Sequence, residues 1–390
     1  MGRFDVAVIG AGISGCATAY ALAKSGAKVV LIDRFGPAAM ASGWTLAGVR
    51  QSGRDPAEMP LAVEAVAIWQ TLHEELGAPT HYKRRGNLRL ARNEAEYGQI
   101  RTMVGEQQAA GLDLSFLPDN QAVRDIAAAI SPQIPGASFC PTDGHADPQA
   151  VCAAYIAAVS RLGVELTMGE NVEAIDVSGG KVSGIRTSRR RLAVDSVVLT
   201  GGVLGNTLLE PLGFSVPIRK PMVAVIRSVP IAPVLDQVIG VCGGDWAGRQ
   251  ETNGRLRITS GMLDWQGTME MVRTGTGDRP LIRPPLSSLS EIIRKLDDLL
   301  PGLSKTPIEE CWAGLLDLTP DALPVLDHAP GIDGLVIGMG FSGHGFCLGP
   351  VTGKILADLV TGHPSNHDLS AFRFNRFFAD SPKAKLELHG

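Results

Sequence analysis

The chain has 390 residues, with 36 Lys and Arg against 40 Asp and Glu and a formal net charge of −4. At roughly 150 residues per domain the length suits two domains, and 19% charged beside 45% hydrophobic residues argues against disorder and for a sizeable core. The mild acidity excludes a protein whose main task is to grip nucleic acid or anionic lipid.

Glycine is frequent, 46 residues, with no Gly-X-Y period, so collagen is excluded and tight turns are expected. The six cysteines, Cys16, Cys140, Cys152, Cys242, Cys311 and Cys347, are scattered without a C-x-x-C pair. That spacing carries no zinc or iron–sulfur signature, and no metal site is expected. The first apolar run, Phe4 to Ile9, is too short for a signal peptide, and no transmembrane segment of roughly 20 apolar residues is present. A soluble, cytoplasmic protein with reduced thiols is expected.

The run Phe4 to Ile9 predicts a strand that feeds Gly10-Ala11-Gly12-Ile13-Ser14-Gly15, a G-x-G-x-x-G turn. A helix is predicted from Cys16 to Lys24 with Gly26 as its stop, then a strand from Lys28 to Ile32 that ends at Asp33. In this strand–turn–helix–strand unit Gly10 permits the tight turn, Gly12 lets backbone approach a pyrophosphate, and Gly15 lets helix and strand pack closely. The helix N-terminus offers free N–H groups to the phosphates. Asp33 can accept hydrogen bonds from a ribose and repels a 2′-phosphate. The motif points to a dinucleotide and leaves FAD and NAD both open.

Ala41-Ser42-Gly43 opens a polar loop running past Arg50 and Arg54. Helical spacing follows over Met59–Leu76, a strand over 86–90, and a helix over 94–110 that Gly98 and Gly105 are expected to interrupt. Asp143 to Asp147 reads as a turn, and Pro148 opens a helix to Leu162. A β-meander of three strands is predicted over 165–177, 182–187 and 192–199, ending at Thr200-Gly201-Gly202; the Arg189-Arg190-Arg191 run between them reads as a solvated turn. Residues 216–285 read as mostly antiparallel sheet and 286–300 as a helix. Pro320 to Pro330 is expected to be irregular, Leu335 to Gly338 a buried strand, and Gly340 to Gly349 a second glycine-rich loop. The last helix is expected to open with Pro350 and stop at Gly362, and the charged residues from Ser381 to fray.

These motifs carry a resemblance. The chain resembles the glycine/sarcosine oxidase group of the D-amino-acid-oxidase superfamily through Gly10 to Gly15 with Asp33, the Ala41-Ser42-Gly43 … Ala47-Gly48-Val49-Arg50 loop, Asp143-Gly144-His145-Ala146-Asp147-Pro148, Trp312-Ala313-Gly314-Leu315 … Thr319-Pro320-Asp321, and above all Gly340-Phe341-Ser342-Gly343-His344-Gly345-Phe346 with Pro350 and Gly353. Within that group it is most similar to the catalytic flavin subunits of hetero-oligomeric sarcosine oxidases and of opine, proline and hydroxyproline dehydrogenases. The resemblance implies an α/β fold: a Rossmann-like FAD-binding domain, discontinuous over 1–80, 140–215 and 311–380, interleaved with a largely antiparallel-sheet α+β substrate domain over 81–139 and 216–310. It assigns the cofactor to Gly10, Ala11, Gly12, Ile13, Ser14 and Gly15, to Asp33 and Arg34, to Ser42, Gly43 and Arg50, to Val172, to Gly201 and Gly202, and to Gly340, Ser342, Gly343, His344, Gly345 and Phe346. Backbone N–H groups of the last loop, aimed at N1 and the C2 carbonyl of the flavin, would stabilise charge gathering there. A plain tight loop before a helix is the other reading.

Departures from the group matter as well. Gly314 stands where monomeric sarcosine oxidases bind FAD through a cysteine, so the FAD is expected to be non-covalent and Cys311 an inert core thiol. Ala146-Asp147-Pro148-Gln149 lacks the histidine that anchors FMN in heterotetrameric sarcosine oxidases; a non-covalent FMN at a subunit interface stays open. Leu316 replaces the carboxylate-binding arginine of glycine oxidases.

The implied reaction takes hydride from the carbon beside an amine to flavin N5 and leaves an imine that hydrolyses. Four residues are candidates for catalysis. Arg50 is expected against the flavin, with a surface salt bridge as its alternative. Arg54 can hold a substrate carboxylate bidentately. Arg257 sits near the oxygen-activating lysine of monomeric sarcosine oxidases and cannot share its proton chemistry, which favours a dehydrogenase; a solvent-facing strand arginine is its alternative. His344 is either a group over the flavin pocket or a hydrogen-bonded structural histidine. The leading reading is therefore the FAD-bearing subunit of an amine dehydrogenase acting on a small amino-acid substrate, an opine, sarcosine or proline derivative, with partner subunits carrying FMN or iron–sulfur acceptors. A stand-alone oxidase producing hydrogen peroxide and a structural flavoprotein subunit are the competing readings.

Overall fold

The computed structural model describes residues 3–274 and 277–378. The expected frayed tail from Ser381 lies outside the described residues.

Val29–Asp33 is apolar at every position but its last, the composition of a strand covered on both faces. It lies in a parallel sheet, in the order Glu165–Met168, Val29–Asp33, Arg3–Ile9, Arg191–Leu199, Leu335–Met339, which Val325–His328 extends antiparallel to its last strand. Helices Ile13–Lys24, Met59–Leu76, Pro148–Arg161 and Gly345–Thr361 share one core, whose sheet residues include Val6, Val8 and Leu31. The other face of the sheet buries Phe4, Ala7, Val30 and Ile32 with Val197 and Phe374. A second sheet runs in the order Ile308–Leu315, Met222–Pro230, Arg255–Leu263, Trp246–Gln250, Val238–Val241, Asn87–Ala91, Gly136–Cys140, Ser115–Leu117. It is antiparallel except where Val238–Val241 runs beside Asn87–Ala91. The expected Rossmann-like unit beside a largely antiparallel sheet is therefore what the chain folds into. Among the described residues no helix is long and apolar enough to cross a membrane.

Helix ends follow local chemistry. The Asp147 side chain accepts from Ala150 N at 2.8 Å and Pro148 sits in the first turn, so Pro148–Arg161 starts where expected. Met59–Leu76 stops at Gly77 in the left-handed region, with φ 61°, where an L side chain would be strained. The closing helix crosses the first helix through glycines: a Cβ on Gly353 would lie 2.5 Å from Ala17 Cβ, and one on Gly349 2.7 Å from Ile13 Cγ1. Trp69 links the third member, donating to Cys347 O at 2.8 Å.

Several expectations are corrected. The predicted strand over 165–177 divides at a turn through Gly169: Glu165–Met168 joins the parallel sheet, and only Val172–Ser178 belongs to the meander. Residues 320–330 hold the strand Val325–His328, whose flanking prolines mask it. The last helix opens at Gly345, with Pro350 inside it, because Gly345 and Gly349 serve packing and do not form a loop. The helix Glu94–Ala109 runs through Gly98 and Gly105 without a break. Within the polar loop Ala41–Trp44 form a helical turn, and Gly48–Val49 pair with Gly144–His145 where a turn was expected. The division expected at 311 cuts through Ile308–Leu315, all of which lies in the second sheet. Cys311 is exposed on that edge strand, not a core thiol. Arg190 is not merely solvated: it reaches Glu165 at 2.8 Å and Glu170 at 3.4 Å.

The helix crossing is testable. Gly353→Val is expected to destabilise the protein by about 1–3 kcal/mol, seen as a lower urea midpoint; an unchanged midpoint would contradict the contact.

Candidate active site

The parallel strands deliver their C-terminal ends to one cavity of about 650 Å³, where open α/β sheets commonly bind ligands. The first strand turns sharply at Gly10, with φ 108°, and a Cβ there would lie 2.4 Å from Thr200 O. A Cβ on Gly15 would lie 1.8 Å from Gly10 O, so the helix can approach the turn only as glycine. This helix starts at Gly12 with no side-chain cap and no acidic residue in its first turn. Gly10, Gly12, Ile13, Ser14 and Gly15 line the cavity, and the uncapped N-terminus suits a pyrophosphate. Asp33 holds the turn from the neighbouring strand, its Oδ2 accepting from Ala11 N at 2.7 Å and its Oδ1 from Phe35 N and Gly36 N, each at 2.7 Å. Burial pushes its carboxyl up from the usual range. Ser42 Oγ accepts from Ile13 N at 3.0 Å. Glu170, Val172, Gly201 and Gly202 complete this end of the wall.

The second cradle comes from the other end of the chain. Phe341, Ser342, Gly343, His344, Gly345 and Phe346 line the cavity at the N-terminus of the closing helix. Buried Asp317 anchors the loop, accepting from Gly340 N at 2.8 Å. The two glycine cradles at helix starts fit FAD; the helix dipoles favour negative charge at two points along it.

The charged part of the wall is built by the loop from Arg50 to Glu58. Asp143, fully buried, accepts from Gln51 N at 2.8 Å and from Ser52 Oγ at 2.5 Å. Gln107 Oε1 accepts from Gly53 N at 2.9 Å. Pinned in this way, the loop sends Arg50 and Arg54 to the wall, where Arg89 joins them from the second sheet. Arg54 is 3% exposed; its Nε donates to Arg50 O at 3.2 Å and its Nη1 lies 3.5 Å from Glu58 Oε2 without a hydrogen-bond partner. Burial, with the charge of neighbouring Arg54 adding to it, pushes the Arg50 guanidinium well below its usual range and that of Arg89 down to about 10. His344 Nδ1 lies 2.9 Å from Glu58 Oε2. Burial, then the charge of Arg54, pushes His344 down to about 4, so its ring is neutral at neutral pH.

Most expected site residues are thus brought together: Arg34, Arg50, Arg54, Val172 and His344 all line one cavity with the glycines. Ala11, Gly43 and Gly340 do not; they act behind the wall, as where a Cβ on Gly43 would lie 2.0 Å from Ala38 O. Arg257 is the main correction. It is neither on the wall nor facing solvent. Its Nε lies 2.6 Å from Glu251, its Nη1 donates to Thr45 O at 2.8 Å, and it stacks over Trp312. Its neighbour across the strands, Arg249, donates to Leu46 O at 2.5 Å and to His145 Nδ1 at 2.9 Å. The two brace from behind the loop whose other side lines the cavity. Sequence reading missed Glu58, Arg89, Asp143 and Asp317. For Asp143 the signal was its place in the Asp-Gly-His-Ala-Asp-Pro motif; Arg89 looked like one polar position of an alternating strand.

The comparisons agree with this geometry. A family model described as DAO, FAD dependent oxidoreductase, matches residues 5–359. The chain is 29% identical to peroxisomal sarcosine oxidase of Homo sapiens, over 96% of each chain. It is 26% identical to sarcosine oxidase subunit beta of Rhodobacter capsulatus, over 92% of this chain and 85% of that one. The crystal structure of L-proline dehydrogenase from P. horikoshii superposes with a TM-score of 0.88 at 22% identity, covering 99% of each chain, which establishes a shared fold.

Two outcomes follow from the site's geometry. Asp33→Asn is expected to weaken FAD binding at least tenfold, about 1.4 kcal/mol, in fluorescence titration of the apoprotein; an unchanged dissociation constant would remove Asp33 from the cofactor site. His344, with its folded pKa depressed, takes up its proton near 6.5 when unfolded and only near 4 when folded. Its contribution to stability is full above pH 6.5 and is lost as pH falls towards 4, by about 3 kcal/mol. His344→Gln should therefore flatten the fall in Tm between pH 6.5 and 4.5, and an unaltered slope would show that the imidazole is not held neutral.

Proposed function

The chain belongs to the DAO family of FAD-dependent oxidoreductases, and on that premise we propose that it oxidises the carbon–nitrogen bond of an N-substituted amino acid of the opine, sarcosine or proline type, as the flavin subunit of a dehydrogenase complex. In this reading the first sheet and its helices form the cofactor domain and the second sheet the substrate domain. The glycine turn at Gly10–Gly15 and the loop Phe341–Phe346 would hold FAD, which would supply the hydride acceptor for the carbon beside the substrate nitrogen.

One observation carries the substrate class: a buried guanidinium, Arg54, stands on the wall of the same cavity, its Nη1 3.5 Å from Glu58 Oε2. A carboxylate is the anion that fits its fork bidentately. Held there, an amino acid has its α-carbon fixed relative to the second cradle, which is the entropic part of the rate. Neutral His344 has Nδ1 on Glu58, so Nε2 is the atom at which a proton from the substrate ammonium can be held. The apolar wall, including Val223, Val225, Leu315 and Phe346, excludes water until the imine leaves and hydrolyses to an amine and an oxo acid.

Two features support a dehydrogenase that passes electrons to a partner. The cations on the described wall, Arg34, Arg50, Arg54 and Arg89, are all guanidiniums, which do not shuttle protons as the oxygen-activating lysine of monomeric sarcosine oxidases does. The likeness to a sarcosine oxidase beta subunit supports partner subunits, with an FMN or iron–sulfur group as the next acceptor. The position of Arg257 does not enter, because its charge is spent on Glu251.

Anaerobic mixing of the holoenzyme with opines, N-methyl amino acids, prolines and D-amino acids tests the reading. Bleaching of the flavin by the first three groups is expected, with dye reduction far outpacing peroxide formation in air. Arg54→Gln should raise KM at least tenfold and lower kcat less. Peroxide formed as fast as the flavin is reduced would favour the stand-alone oxidase, and no bleaching by any amine would leave a structural flavoprotein.

A further inference from the structure

The second sheet has two faces of different character. One packs on the helix Leu286–Leu299 and buries Leu88, Ala224, Ile226, Ile239, Trp246 and Ile258. The residues next to these point the other way, because side chains alternate along a strand. Arg89, Gly240, Ala247, Thr259 and Val225 stand opposite one another in that order across neighbouring strands, and all of them line the cavity. This face is the cavity wall that the second sheet supplies.

Gly240 is a glycine in that wall which neither backbone nor packing requires. Its φ lies outside the left-handed region, and a Cβ built on it would meet no atom within 4 Å. Gly248, on the paired strand and the opposite face, is the contrast: a Cβ there would lie 2.8 Å from the Trp246 ring. Glycine inside a strand costs stability relative to a residue with a side chain, and it commonly marks a place where a ligand comes close to the backbone. Ala247, across from Gly240, adds only a methyl group, and the Thr259 hydroxyl beyond it donates to Ala247 O at 3.4 Å. Val238, two residues before Gly240 on the same face, and Val225 also line the cavity. Together they form an apolar recess that opens over Gly240 and Ala247.

We propose that this recess receives an apolar group of the substrate and that Gly240 determines which substrates fit. The space left is that of the side chain a strand usually carries there, so the group is branched and of about three carbons or more, the size of a valine side chain. The assignment rests on the amine oxidation proposed above and narrows its substrates from sarcosine, which has no such group, to N-substituted amino acids that carry one. A side chain at residue 240 would fill the recess from the protein side, because its Cβ points into it.

The test uses the oxidised holoenzyme and two inert carboxylates, propionate and 4-methylpentanoate, read by perturbation of the flavin spectrum. The second is larger by three carbons and is expected to bind at least tenfold more tightly. Gly240→Val is expected to bring the two affinities within twofold of each other, and Gly240→Ala to close part of the gap. Since no contact demands glycine at this position, Gly240→Val should keep the Tm or raise it. In turnover, N-methylleucine should show a kcat/KM at least tenfold above that of sarcosine, and Gly240→Val should remove the difference. Equal affinity of the two carboxylates, or a ratio that Gly240→Val leaves within twofold of its original value, would overturn the assignment. A Tm lowered by about 5 °C or more in Gly240→Val would show that the fold itself needs the glycine, and would overturn it as well. If no amine bleaches the flavin, the oxidation reading fails, while the carboxylate titration still decides whether the recess takes an apolar group.

Discussion

The contact on which the molecule depends is the approach of Gly15 to the carbonyl of Gly10, so close that a Cβ would sit 1.8 Å from the oxygen. It lets the first helix begin at the very end of the first strand, with Thr200 closing the turn from the adjacent strand through hydrogen bonds to Ile9 O and Gly10 O. The same helix then carries the closing helix against its flank, at Ile13 and Ala17, again with glycine as the only tolerated partner. Two helix N-termini from opposite ends of the chain thus face one cavity because their bodies are packed on each other. A flavin dinucleotide is long and anionic in its middle, and this pair of helices provides positive dipole ends at two points along it.

Buried charge divides into two kinds here. Arg249 and Arg257 are satisfied by their own chain, by Glu251, His145 and the carbonyls of Thr45, Leu46 and Ala146, and burial pushes Arg249 down to about 9. They brace a loop, and well-packed apolar residues could do much of that work. Arg50, Arg54 and Arg89 instead stand together on the cavity wall, with Arg54 3.5 Å from Glu58. Native proteins break the rule against crowded buried charge chiefly where function requires it.

Much of the cofactor half was legible in the sequence because its chemistry is local. A strand, a glycine turn, a helix and an acidic residue at the next strand end sit within Phe4–Asp33, so spacing alone orders them. The helix Met59–Leu76 was legible for the same reason, through its apolar spacing and Gly77. What misled was glycine and proline whose reasons are tertiary. Gly345 and Gly349 read as loop and Pro350 as the helix start, yet one helix runs through all three, Gly349 leaving space for Ile13 and Gly345 for Phe341. Arg89 and Glu58 were not legible, since their meaning arises only when a strand of the second sheet and a helix start of the first core meet at Gly53 and His344. Arg257 misled in the opposite sense: its place along the strand is near the cavity, but its side chain points to Glu251 and Trp312.

That asymmetry has a physical root. The cofactor end is built largely from backbone N–H groups, which any sequence possesses, so it is specified by where glycine permits approach and is recognisable across distant relatives. The other part of the wall is built from side-chain charge delivered by separate elements, Arg50 and Arg54 from a loop and Arg89 from a strand of the second sheet. Identity of 26–29% with sarcosine oxidases is therefore compatible with a shared flavin chemistry and a different constellation of cations.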